Sequence, residues 1–292
     1  MGDFVGHVLP GTLLLAVGLW RVWASVARFA ADPAAFRVRA WNPVPAAGPR
    51  LLELHVVAGG AFLDMCVELY YANPLRVLTG GGVDPGHLGG LEHASMLLMF
   101  FLFGALALVS EKTRYLPLSD DALSLVFASA FTAEFLLFYF HSTTHAGLEG
   151  YYHRLLLAVL ALCIAALVAG ALLPASFPAD LGAGVLIAVQ GLWFYQAALA
   201  LYGPMLPAGC VRHFDSPHSD ARIECHGGTA QERAEQLANF QLFGLVFLAF
   251  VYALGCYAVA AARVRRAGEY MNGWAVQKKL ECDLTYHMDL SL

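Results

Sequence analysis

The residues with the most chemistry to offer are imidazoles and carboxylates set inside otherwise apolar runs. His7, Asp64, Glu68, Glu92, His93, Glu134, His141, His145, Glu149 and His153 all fall in or beside such runs. Neutral imidazoles with carboxylates are the usual ligands of Zn, and three protein ligands plus an open water position would make a catalytic centre. The densest cluster is the polar hinge His141-Ser-Thr-Thr-His145-Ala-Gly-Leu-Glu149-Gly-Tyr-Tyr-His153. Two further chemistries fit the same residues. One is a hydrogen-bonded network or proton path in a water-filled cavity, and the other is interfacial histidines with carboxylates that merely hold helices together. No His-Glu-x-x-His spacing decides among them.

The elements that must position these groups follow from composition. The chain has 292 residues, of which 59% are apolar and 13% charged, about half the charge of a soluble domain. Apolar stretches long enough to cross a bilayer recur at about 4–27, 51–72, 88–110, 121–141, 152–174, 181–203 and 236–262. The expectation is an all-α, polytopic integral membrane protein of seven transmembrane helices. Residues 1–265 would form the membrane domain and 266–292 a cytoplasmic tail. No basic segment precedes the first span and no small-residue cleavage site follows it, so that span is expected to be a retained anchor.

Orientation follows from the cations, which are retained on the cytoplasmic side. Arg28, Arg37, Arg39, Arg50, Lys112, Arg114, Arg263, Arg265, Arg266, Lys278 and Lys279 fall on one side. Arg76, Arg154, Arg212, Arg222 and Arg233 fall on the other. The balance predicts the N-terminus outside and the C-terminus inside, with Arg21 near the inner end of the first helix and able to snorkel to the interface. No basic tract interleaved with aromatics is present, so nucleic acid is not an expected partner; the lipid bilayer is. Cys210 and Cys225 share the loop 204–235 on the oxidising side and are expected to form a disulfide. Cys66, Cys163 and Cys256 lie within spans and read as small buried hydrophobes.

Threaded through this topology, the ionisable groups converge. In the second span Glu53, Asp64 and Glu68 turn about 1100° and 1500° apart at ~100° per residue, which gives that helix one acidic face. Glu134, His141 and His145 form a stripe on the fourth, with Gly147 and Gly150 expected to fray the helix beyond it. His7, Asp64, Glu68, Glu92, His93, His141, His145, Glu149 and His153 all land toward the outer side. Gln190, Trp193 and Gln196 bring amides and an aromatic to the same depth from the sixth span.

Four ordered segments carry a resemblance: Phe4-Val-Gly-His7-Val-Leu-Pro10-Gly11, Glu92-His93-Ala-Ser-Met96, Glu134-Phe-Leu-Leu-Phe-Tyr-Phe-His141 and Gln190-Gly-Leu-Trp193-Phe-Tyr-Gln196. Together they resemble the transmembrane protein 45 family, which includes the transmembrane epididymal proteins. The resemblance implies a multipass protein of the endomembrane system, Golgi or secretory pathway, or of the plasma membrane, and defines no activity.

The leading expectation is a metal-dependent, membrane-embedded hydrolase acting on a lipid or other small amphiphile. His93, His141 and His153 would hold Zn, with His7 and His145 as further donors, and Glu134 or Glu149 would act as general base. Asp64, Glu68, Glu92, Gln190, Trp193 and Gln196 would line the cavity. The contrasting expectation is non-enzymatic: a transporter or channel using the same cavity, or a trafficking scaffold.

Overall fold

The computed structural model describes residues 4–44, 49–72, 85–144, 147–214 and 221–289, with side chains at all of these except 85–87, 141, 144, 214, 221–222 and 270–289. The described residues form seven helices and one β-hairpin. The helices are α1 (Phe4–Ala31), α2 (Leu52–Ala72), α3 (Pro85–Lys112), α4 (Asp120–Thr144), α5 (Gly147–Leu172), α6 (Phe177–Ala197) and α7 (Gly228–Asp289). A single π-turn, Ala198–Tyr202, extends α6. Strands β1 (Cys210–Phe214) and β2 (Ala221–Cys225) pair antiparallel, with Cys210 opposite Cys225. Those two cysteines are joined by a disulfide.

Six of these helices contain stretches long and apolar enough to cross a membrane: Phe4–Ala31, Leu88–Lys112, Asp120–Phe140, Gly147–Leu172, Phe177–Tyr202 and Gly228–Glu269. The chain is accordingly an integral membrane protein. α2 stands apart because its apolar residues are interrupted by Glu53, Asp64 and Glu68. Large apolar side chains that a soluble protein would hide face outward on α7, among them Phe240, Phe243 and Phe247, each more than two thirds exposed. Hydrocarbon is the medium that suits such a face.

α1 and α6 are neighbours in space although far apart in sequence. Glycines spaced seven apart on each helix, Gly11 and Gly18 against Gly184 and Gly191, let the backbones meet. A methyl group on Gly18 would overlap the backbone of Ala188, and one on Gly191 would overlap that of Leu15. Small residues at such contacts are what brings membrane helices together where no hydrophobic effect does so. α2 packs along α3, and α4 along α5. The capped start of α6, where Ser176 Oγ accepts from the Ala179 backbone N–H, fixes where that helix begins.

One end of the helix bundle is closed by a buried ion pair. Arg21 of α1 and Glu53 of α2 meet at 3.2 Å with side chains 3% and 2% exposed. Arg21 also donates to the carbonyl oxygens of Ala40 (2.7 Å) and Arg39 (3.0 Å). Glu53 accepts from the Asn42 backbone N–H at 2.8 Å, and Asp120 at the start of α4 accepts from that of Ala40 at 3.1 Å. The segment around Phe36, Val38, Ala40, Trp41 and Asn42 is therefore buried rather than a solvated loop. Arg21 does not snorkel to the interface. A carboxylate one turn into α2 offers it a partner, and a buried cation with a partner has no need of the interface.

Other local expectations change as well. α5 begins at Gly147, whose φ of +73° suits a residue without Cβ, and Gly150 lies buried inside the helix. Glu149 and His153 thus occupy the first two turns of α5. Cys163 and Cys256 are buried, whereas Cys66 is exposed. α7 runs to Asp289, 62 residues in all, or about 93 Å at 1.5 Å per residue, so it extends well past the ~30 Å of a bilayer core.

Removing one member of the inner pair leaves the other charge buried and is expected to cost about 3–5 kcal/mol. Arg21→Met and Glu53→Met combined should lose much less than the sum of the two single losses. Thermal unfolding in detergent micelles measures this, and strictly additive losses would show that the pair is not coupled.

Candidate functional site

α1 and α2 meet at few points beyond the inner ion pair, and above that closed end the helices part. The gap is an open cavity, with about 1030 Å³ of empty space when the solvent at its mouth is included. Every helix from α1 to α6 contributes to its wall. α1 brings His7, α2 brings Asp64 and Glu68, α3 brings His93, α4 brings Glu134, α5 brings Glu149 and His153, and the π-turn after α6 brings Tyr202. Six of these ionisable groups are deeply buried, from Glu134 at 2% exposed to His7 at 8%.

The geometry within this set is specific. The His7 ring lies 5.0 Å from the Tyr202 ring and 6.5 Å from that of His153, centroid to centroid. His153 stacks on Phe138 at 5.4 Å with 20° between planes. Tyr202 donates its hydroxyl hydrogen to Glu149 Oε1 at 3.0 Å. His93 Nδ1 lies 2.7 Å from the carbonyl oxygen of Gly89. That oxygen can only accept, so Nδ1 carries the proton and, in the neutral ring, Nε2 carries the lone pair. Glu134 Oε2 is buried with no hydrogen-bond partner among the described residues.

The rest of the wall is apolar and lies at a different depth. From His7, Leu13 and Val17 lie six and ten residues on, about 9 and 15 Å further along α1. Val57 and Ala61 precede Asp64 and Glu68 on α2. Phe100 follows His93 on α3, Phe127 precedes Glu134 on α4, and Ile187 precedes Phe194 on α6. On α1, α2 and α3 the ionisable groups are nearer one end and the hydrocarbon nearer the other, and on α4 Phe127 lies on the apolar side of Glu134. The cavity is amphipathic along its length.

The expected site residues divide accordingly. His7, Asp64, Glu68, His93, Glu134, Glu149 and His153 share the cavity wall. Glu92 is exposed and lies off it, because one residue along a helix is a turn of about 100° and His93 holds the inward position. Trp193 is 1% exposed but packs elsewhere: it stacks on Tyr152 at 5.0 Å and donates Nε1–H to the Tyr152 carbonyl oxygen at 3.1 Å. Gln190 is fully buried in the core and Gln196 half-buried, and neither reaches the main cavity. On α6 the inward stripe is instead Ile187 and Phe194, seven residues apart and so about 20° apart in projection. The side chain of His141 and the whole of His145 lie outside the described residues. Among the described residues no group of three His, Cys, Asp or Glu is arranged to hold a metal ion.

The β-hairpin is tied to the turn that carries Tyr202. Arg212 of β1 donates to the carbonyl oxygens of Leu201, at 2.6 Å, and Gly203, which steadies the turn that carries Tyr202. Beside the cavity, Tyr151 and Tyr152 donate their hydroxyls to Asn239 Oδ1 (2.9 Å) and Gln241 Oε1 (2.7 Å), locking the start of α5 to α7. His213 faces Glu224 across the hairpin at 3.5 Å. His55 is exposed, with Nδ1 2.7 Å from the carbonyl oxygen of Leu51 and Nε2 3.2 Å from Lys112 Nζ. Neither histidine takes part in the cavity.

Comparison with known proteins finds two similarities. A family of unknown function (DUF716) matches residues 120–258, which run from the start of α4 into the apolar half of α7. Transmembrane epididymal protein 1A of Mus musculus is 28% identical over 221 residues, covering 70% of this chain and 69% of that protein. With the ordered motifs that contribute His7, His93, Glu134 and Phe194 to one cavity, these similarities support the resemblance to the transmembrane protein 45 and transmembrane epididymal proteins.

Proposed function

We propose that this protein binds a single-chain lipid or similar small amphiphile, head at the polar end of the cavity and tail along the apolar wall. The observation that carries this reading is the segregation of one cavity into seven ionisable groups at one end and hydrocarbon at the other. Orientation is part of the same reading. α2 is the seventh span, its carboxylates turned to the ion pair and the cavity, and the N-terminus is outside. The Lys and Arg distribution supports this, as does a disulfide at the polar end, since disulfides persist on the lumenal or extracellular side. The membrane is then one of the secretory pathway or the plasma membrane.

A metal-dependent hydrolysis of the bound amphiphile is the second reading, favoured by imidazoles from three helices on one cavity wall with Glu134. The residues present, His7, His93, His153 and the carboxyls beside them, have the donor chemistry Zn takes. Glu134 or Glu149 would serve as the general base.

Two measurements separate these readings. In lipid nanodiscs, a fluorescent dodecyl amphiphile is expected to bind saturably to the wild type and to lose about tenfold or more in affinity in Ala61→Trp, which fills the middle of the cavity. Leu98→Trp, on the exposed face of α3, should bind as the wild type does; equal binding by Ala61→Trp contradicts the cavity assignment. Elemental analysis of chelator-washed protein should find about one Zn per chain under the second reading. Metal-free protein that still binds the amphiphile removes that reading and leaves the first.

A further inference from the structure

We infer that the headgroup taken by the cavity is a protonated amine, a conclusion that rests on the amphiphile reading and narrows it. Four carboxyl groups, Asp64, Glu68, Glu134 and Glu149, line the wall, and no Lys or Arg does among the described residues. A sulfate, phosphate or carboxylate head would meet like charge with no fixed cation to receive it. A buried carboxylate is costly without a cationic or hydrogen-bonding partner, so the cavity favours a ligand that brings one.

Glu134 is the group that points to such a ligand. It is 2% exposed, it lines the cavity, and its Oε2 is buried without a hydrogen-bond partner among the described residues. Buried acceptors in folded proteins are nearly always satisfied, so an unmet one at a cavity wall calls for a donor from the occupant. An ammonium offers three donors and a full positive charge, and charge-assisted bonds of that kind are about twice as strong as neutral ones. Phe138, Phe194 and Tyr202 add aromatic rings on the same wall, and a ring face attracts a cation. An alcohol head could fill the one acceptor but would bring no charge to it.

Displacement of a fluorescent dodecyl reporter from protein in nanodiscs of zwitterionic lipid tests this. The competitors are dodecylammonium, dodecanol, dodecyl sulfate and butylammonium. Dodecylammonium is expected to displace at concentrations about tenfold or more below dodecanol, and dodecyl sulfate and butylammonium are expected not to displace. Glu134→Gln, which keeps the side-chain shape, should abolish the preference for amine over alcohol. Glu68→Gln should weaken that preference and serves as an independent second variant. Equal displacement by amine, alcohol and sulfate would overturn the amine assignment and leave the amphiphile reading standing. A preference that survives in Glu134→Gln would overturn the role of that residue. Displacement by butylammonium as readily as by dodecylammonium, or by no competitor, would overturn the amphiphile reading itself.

Discussion

An ionisable side chain within hydrocarbon costs roughly 2.5–3.5 kcal/mol at a helix centre even on lenient scales, and that cost governs how these helices are arranged. α2 alone carries Glu53, Asp64 and Glu68, all at most 5% exposed. The helix is stable in a membrane only if its acidic face has somewhere to go. Two solutions coexist along its length: Glu53 meets Arg21, and Asp64 and Glu68 line the cavity. Each carboxylate is removed from lipid, by a counter-ion at one end and by a shared polar space at the other.

The difference between the two ends makes the molecule a vessel with a floor. At the floor the ion pair is reinforced by backbone groups of residues 39–42 and by Asp120, so α1, α2 and α4 are tied at one level. Above it the glycine contacts hold α1 hard against α6, and α2 leans on α3. Because α1 and α2 belong to different packed pairs, the space between them remains open, and that space receives the ionisable groups. The hairpin is tied to the turn that carries Tyr202, while α7 lies outside against α1, α6 and α5 with a broad apolar face turned outward.

Much of this was legible in the sequence, because bilayer thickness and helical periodicity leave few choices. Apolar runs separated by short polar segments define the helices, and the spacing of Asp64 from Glu68 puts both on one face. Alternating direction through the membrane then gathers His7, His93, Glu134, Glu149 and His153 at one level. What was not legible depends on rotation by a single residue or on partners far away in the chain. Glu92 and His93 are adjacent and equally suited to a site, yet only one can face inward. Trp193 and Phe194 differ in the same way: Trp193 packs on Tyr152, while Phe194 lines the main cavity. Tyr202 reaches the cavity through a π-turn, and no local sequence signal announces the change of register that such a turn brings. Arg21 looked peripheral because its partner lies 32 residues away.

The family similarity and the cavity support each other without naming a reaction, since the matched region contains Glu134, Glu149, His153, Phe194 and Tyr202. The central claim is that the ionisable groups line one space entered from the outer side of the membrane. Site-directed thiol labelling tests it most directly. Cysteines placed at Ala61 and Met96, both on the cavity wall, in a background with Cys66 changed to Ser, would be treated in sealed vesicles with a membrane-impermeant maleimide. The account predicts labelling of both from the outer face alone and blockade by a bound dodecyl amphiphile, with a cysteine at Leu98 on the exposed apolar face left unlabelled. Labelling from the inner face, or a cysteine at Leu98 reacting as fast as one at Ala61, would contradict it.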